Sequence, residues 1–508
     1  MVNNDVCIEL LQPDPEKPLQ RVVKLNDKWR LFLKIKPKDK LIEAALLEIV
    51  DAKPIVARRD YVQVKGKFIE RLKEKKKVIK EAVKVIGKEN EAKLLQVLEE
   101  AIYQLRDEYF KYREEFKKKR EEKARQVFEK YRDKILEDPL EFAKSILDYF
   151  HVGDDNPKRI LILIVVSGRN REKNLRASPM LLGPPSSGKS NLEEAVMKML
   201  PSGWYFVLTR ITPHAFERFS ELIGTTNVDG KIFFITEYEG IDKSYTIRIS
   251  MTEGNVTTLT VEHNEKGRIK PKIIKLRGVP IFITTSTRIK FDEQWLSRVL
   301  PLSVDESEEQ TRRVVNFIID KYTEGLADNE ELRREVKERI TAFKYFLKSL
   351  NRYYTVLSKE ASNYLKTVIS KMPDTTYKRR ITEKVIIALA AAHALLNQHR
   401  RRKKDKYLYV EVEDAEKVIE LIKDTIGIQL YGYTPRQFKL FSDILSCIDE
   451  GNHTYGDICN CLKRKGYSYS VDSVRKFVQE LERLGYVEID KSGNRHKIWR
   501  GEVEWFAE

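Results

Sequence analysis

The chain has 508 residues, too many for a single hydrophobic core, so three or four domains are expected. Hydrophobic residues at 41% and aromatics at 10% supply real cores and exclude a chain disordered throughout, even with 34% charged residues. Lys and Arg number 95 against 78 Asp and Glu, a formal charge of +17 that suits a polyanionic partner, although an ion-pair-laced surface rich in Lys and Glu accounts for the same numbers.

The four cysteines, Cys7, Cys447, Cys459 and Cys461, are too few and too unevenly spaced for a disulfide framework. No N-terminal stretch pairs a basic start with an apolar run, and the most apolar segment, Ile160 to Val166, is far too short for a bilayer. A cytoplasmic protein with no membrane partner is expected.

Residues 1–60 mix short alternating segments with Pro13, Pro15, Pro18, Pro37 and Pro54 and read as a small, partly β module. Residues 61–137 are dense in Lys, Glu and Arg and almost free of Gly and Pro. Leu95, Val97, Leu98, Ile102, Leu105, Tyr109 and Tyr112 recur there at helical spacing, which predicts an α-rich, coiled-coil-like region facing a partner or forming a solvated bundle. Asp138-Pro139 opens a new unit, since proline fits the first helical turn. Over residues 138–310 helices alternate with strand candidates at Met180–Leu182, Trp204–Leu208, Ile232–Thr236 and Pro280–Thr285, the pattern of an α/β core with a mostly parallel sheet. Residues 311–430 read as helical, with an Ala-rich stretch Ile386–Leu396 followed by the basic run Arg400 to Lys404. Residues 431–508 form a small, mixed last unit.

Gly183-Pro184-Pro185-Ser186-Ser187-Gly188-Lys189-Ser190 follows the strand Pro179–Leu182 and leads through Asn191 into a helix. Glycines let backbone N–H groups curl round a phosphate, and the helix N-terminus adds a positive dipole. Lys189 is expected on the β- and γ-phosphates of ATP, and Ser190 on Mg²⁺.

The next apolar strand delivers Glu237 to its C-terminal end, where phosphate chemistry sits in such sheets. An Asp-Glu pair is the common arrangement, yet Thr236 stands where the Asp is expected. Either Glu237 polarises water and Mg²⁺ keeps more of its own waters, or Glu237 serves the metal and Glu239 the water; the first is preferred. A third strand ends in Thr284-Thr285-Ser286-Thr287, whose hydroxyls, Thr285 above all, are candidates for the γ-phosphate and the attacking water.

In this order the pieces resemble an AAA+ ATPase of the minichromosome maintenance (MCM)-like helicases, of the type carried by archaeal or phage mobile elements. His151 to Ile160 resembles that group's approach to the ATPase core, and Trp295 to Leu300 its arginine-finger segment, with Val299 replacing the usual Phe. Ile386 to Ala394 resembles its lid helix, and Val412 to Ala415 the start of the helix after it. The resemblance implies a P-loop AAA+ core, a helical lid and a ring, usually a hexamer, in which Arg298 reaches a neighbour's γ-phosphate. Arg379 or Arg380 would be the second sensor. It also implies that the hairpin flanking Asn264 to Lys270 projects into the ring channel, with Lys266, Arg268 and Lys270 on DNA phosphates.

Three helices and a hairpin at the C-terminus describe a winged helix, with Ser473, Arg475, Lys476 and Gln479 facing the major groove and Lys491, Arg495 and Lys497 on the wing. The Cys-x-Cys spacing of Cys459 and Cys461 fits a zinc site poorly, so core and surface thiols are expected. The resulting expectation is an ATP-dependent translocase or helicase acting on single-stranded and duplex DNA in replication. The alternative is an initiator or loader that binds origin DNA without processive unwinding.

Overall fold

The computed structural model describes residues 6–36, 41–50, 53–63, 77–212, 215–237, 241, 244–263, 269–287, 293–323, 329–372, 374–375, 377–429, 435–492 and 496–501. The chain divides into two compact units, Met1–Ala124 and Arg125–Glu508.

Alternation dictates the first unit. Five antiparallel strands, β1 (Glu9–Leu10), β2 (Gln20–Lys24), β3 (Trp29–Lys36), β4 (Leu41–Val50) and β5 (Lys53–Gln63), pair in sequence order. Every second residue of β3 and β4, namely Leu31, Leu33, Ile35, Ile42, Ala44 and Leu46, turns inward. That face is covered by Val78, Ile79, Ala82 and Ile86 of the helix Lys77–Ile86, and by Leu94, Leu98, Ala101, Ile102, Leu105 and Tyr109 of the helix Glu91–Glu137. The sequence suggests a β module and a separate helical region meeting near residue 60. Instead strand and helix faces bury one another in a single core, because neither face is covered otherwise.

In the second unit Asp138 caps the helix Pro139–Leu147, accepting from the Leu140 and Glu141 amides with Pro139 in the first turn. A five-stranded parallel sheet follows, built from β6 (Pro179–Leu182), β7 (Tyr205–Leu208), β8 (Ile232–Ile235), β11 (Ile281–Ser286) and β12 (Leu300–Ser303) in the order β12-β6-β11-β8-β7. All residues of β6, β8 and β11 are buried, as expected of strands covered on both faces. Sequence reading missed β12, whose four residues Leu-Pro-Leu-Ser are too short and too proline-marked to stand out.

Between β8 and β11 the chain makes an antiparallel hairpin of β9 (Asn255–His263) and β10 (Ile269–Arg277). Its base lies at the sheet edge where the strands begin: the Val228 amide donates to Arg277 O, and the Gly230 amide to Val279 O. Gly278 has φ 98, and a side chain there would collide with Asp229, so this close approach requires glycine.

Asp229 ties the edge together. It accepts from Arg176 at 2.7 and 3.1 Å and from Arg352 at 2.7 Å. Burial by itself would push its pKa up, but the two guanidinium groups outweigh that and hold the carboxyl at about 2. Its contribution to stability is therefore in place above about pH 4 and is lost as pH falls toward 2. Arg176 is buried, so Asp229→Asn strands a charge and should destabilise by about 3–5 kcal/mol, with a flatter acid limb; thermal melts at pH 3 to 7 check both.

The region read as helical also contains a small sheet, β13 (Tyr354–Leu357), β14 (Lys403–Lys404) and β15 (Tyr407–Val410), in which the basic run supplies a strand. Arg401 of that run donates twice, at 2.8 Å, to buried Asp414. The Ala-rich segment forms a π-helical turn, Thr382–Ile387, and then the buried helix Ala388–Leu396, whose small side chains let it pack closely on the equally buried helix Asp155–Ser167.

The last part has its own core. Helices Pro435–Asp449, Tyr455–Arg464 and Val471–Arg483 pack with the antiparallel pair β16 (Val487–Asp490) and β17 (Lys497–Arg500). Here a reading of the cysteines is corrected: Cys447 and Cys461 form a disulfide, their Cα atoms 6.0 Å apart where the first two helices meet. Among the described residues no helix is long and apolar enough to cross a membrane.

Candidate nucleotide site

The loop Gly183–Gly188 leaves β6 at its C-terminal end and feeds the helix Lys189–Met199. Ser186 and Gly188 both have positive φ, 65 and 87, so the backbone turns sharply enough to direct successive amides inward. No side chain caps the helix start and no acid lies in its first turn, which leaves those amides and the dipole for an anion. Lys189 Nζ lies within this ring, donating to Gly183 O at 2.9 Å, to Pro184 O and to Ser187 Oγ at 3.1 Å. An ammonium held by loop carbonyls at that point is placed to exchange them for phosphate oxygens.

The loop is backed by residues that pattern reading associated only with a family resemblance. His151 Nε2 and Asp154 Oδ2 are 2.7 Å apart and both side chains are buried. The Asp305 amide, just beyond β12, donates to the other Asp154 oxygen at 2.7 Å. A side chain at Gly188 would meet the His151 ring at 3.1 Å, so this wall sets the loop's position as well as its φ. Four residues beyond Lys189, Glu193 is buried, and desolvation pushes its carboxyl up to about 8, leaving it neutral near pH 7. Nothing in the sequence marks Glu193, because solvated Glu is the ordinary occupant of a helix.

Ser190 and Asn191 are exposed in the first helical turn, and Glu237 is exposed two residues past β8 at the same sheet edge. Hydroxyl and carboxylate oxygens so placed fit a hard divalent cation such as Mg²⁺. Among the described residues no group of three or more His, Cys, Asp or Glu could hold a metal ion. The Glu237 amide donates to Thr209 O at 2.9 Å, fixing the backbone at the end of β8. Thr285, a candidate for the phosphate, donates its hydroxyl to Thr236 O at 2.8 Å. In parallel register Thr284 pairs with Ile235, which brings the following residues side by side; Thr285 thus braces the acidic strand end. Glu239 lies outside the described residues.

The arginines occupy the other edge. Arg298 precedes β12, whose first residue Leu300 pairs with Pro179 at the start of β6. Arg298 and Arg380 line one cleft, open to solvent, with Ala177, Ser178, Tyr377 and Lys384. Burial, then the Arg298 charge, lowers Arg380 to about 10. Arg380, expected among the residues on the nucleotide, thus shares this cleft with Arg298 and with Ala177 and Ser178, which precede β6. Pattern reading could not separate Arg379 from Arg380; the cleft is lined by Arg380.

Of the residues expected on DNA, Lys270 is exposed on β10, while Lys266 and Arg268 lie outside the described residues. Neighbouring Lys272 pairs with Glu221 at 2.7 Å and Glu262 at 3.0 Å. On the helix Val471–Arg483, Arg475 and Lys476 are exposed, Arg475 lying over the Tyr455 ring at 5.3 Å. Lys497 is exposed on β17 and Arg495 lies outside the described residues.

No curated protein matches the chain. Residues 126–344 match the family model of the MTBMA_p00010 P-loop domain, so the loop, its helix and the parallel sheet belong to a P-loop domain, the architecture of a nucleotide-binding NTPase.

Proposed function

We propose that the chain is an ATP-driven DNA translocase or helicase of MCM-like AAA+ type, working in replication as a ring of identical copies, six in the family it resembles. The observation that carries this reading is the separation of the two halves of a hydrolytic site. Loop and Glu237 lie at one sheet edge, Arg298 and Arg380 at the other, so a complete site needs a second copy. Lys189 and the loop amides bind the phosphates, Glu237 orients water, and the two arginines neutralise charge that develops on the transferred group. Ser190 would hold Mg²⁺, which when bound supplies further neutralisation of phosphate charge.

The β9–β10 hairpin, carrying exposed Lys270, would grip a strand through phosphate contacts that bear no sequence information and can be remade at each step. The helices from 311 to 429 would form the lid. The C-terminal helices and hairpin would act as a winged helix on duplex, through Arg475, Lys476 and Lys497. That last unit favours a second reading, an initiator or loader that holds duplex without travelling along it. Strand displacement on forked DNA with ATP and Mg²⁺ separates the two. The translocase reading expects displacement and DNA-stimulated ATPase, both lost in Lys189→Ala; ATPase that DNA does not stimulate, with no displacement, would sink it.

A further inference from the structure

The Arg298–Arg380 cleft contains a cation that the split-site reading does not use. Tyr377, Arg380, Ile381, Lys384 and Val385 line it at spacings of three and four, one stripe of a continuous helical segment. Lys384 lies in the π-helical stretch Thr382–Ile387, a distortion that concentrates at functional sites. Its Nζ is buried and has no hydrogen-bond partner among the described residues. Among the described residues no acidic side chain lines the cleft. The charges acting on Lys384 are Glu383 and Arg380 on its own segment and Arg176 and Glu172 from the stretch before β6. A buried ammonium without a hydrogen bond is costly unless an anion completes it.

We propose that Lys384 is a third phosphate ligand in this cleft, joining Arg298 and Arg380 on the terminal phosphate of a nucleoside triphosphate bound to the loop of an adjoining copy. The assignment rests on the shared-site reading above. No covalent step is involved: the ammonium contributes a point charge and three donors where two guanidinium forks already face the same oxygens. Burial first, then Arg380 and Arg176, lowers Lys384 to about 8, so an arriving phosphate favours the charged form and draws a proton from solvent at alkaline pH.

The test uses the full chain with Lys384→Met, which keeps length without charge, and Lys384→Arg. The methionine variant should bind a non-hydrolysable ATP analogue as wild type does but turn over on the order of 10- to 100-fold more slowly. Mixed with Lys189→Ala, it should regain turnover above the sum of the two alone. Lys384→Arg should keep most of the activity and lose the wild type's decline at alkaline pH, because guanidinium does not titrate there. Wild-type turnover in Lys384→Met beside a dead Arg298→Ala overturns the proposal and leaves the shared site standing. So does recovery by the Arg298→Ala mixture but not by the Lys384→Met mixture. If neither mixture recovers, the shared-site reading itself fails. Analogue binding and melting of Lys384→Arg report the fold independently.

Discussion

Arg298→Ala is expected to bind ATP like the wild type and to lose turnover by ~10³-fold or more, at least about 4 kcal/mol of transition-state stabilisation. The expectation follows from where the residue lies. Arg298 precedes β12 and shares a cleft with Arg380 at the sheet edge opposite the loop, so its removal leaves Lys189 and the loop amides intact. Its loss should appear in kcat rather than in nucleotide affinity, because charge builds on the phosphoryl oxygens only as the bond breaks. Single-turnover hydrolysis beside equilibrium binding of an ATP analogue checks the split. A variant that loses affinity and rate together would place Arg298 on its own chain's nucleotide.

Glu237→Gln carries the second large effect. Glu237 is exposed just past β8, its amide held by Thr209 O and the preceding carbonyl by Thr285. If it orients and polarises water, its neutralisation should cost ~10²- to 10⁴-fold in kcat, with the Mg²⁺ requirement unchanged. If it were chiefly a metal ligand, the Mg²⁺ concentration for half-maximal rate would rise while saturating Mg²⁺ restored turnover. A Mg²⁺ titration of the variant decides between these roles, and so settles what the threonine at 236 implies.

Much of this was legible in sequence for physical reasons. The loop announces itself because phosphate binding needs glycines, a lysine and a helix start at fixed spacing, and Glu237 because four apolar residues carry it to a strand end. Strands buried on both faces read as apolar runs, which found β6, β8 and β11. What stayed hidden depends on long-range pairing. β12 is four residues long and is a strand only because β6 lies beside it. β13 and β15 lie about fifty residues apart across intervening helices, and the basic run between them gains a strand only by pairing with β15. At Thr285, register with β8 sets a contact that residue type does not announce, its hydroxyl donating to Thr236 O. Cys447 and Cys461 likewise become partners only once two helices cross.

The central claim, that a hydrolytic site is shared between copies, is tested most directly by mixing two inactive variants. Lys189→Ala keeps the cleft and loses the loop; Arg298→Ala keeps the loop and loses the cleft. In rings assembled from an equal mixture, about a quarter of interfaces would pair an intact loop with an intact cleft. ATPase should then rise well above the sum of the separate variants. A mixture as inactive as its components, in rings shown to contain both, would contradict the shared site.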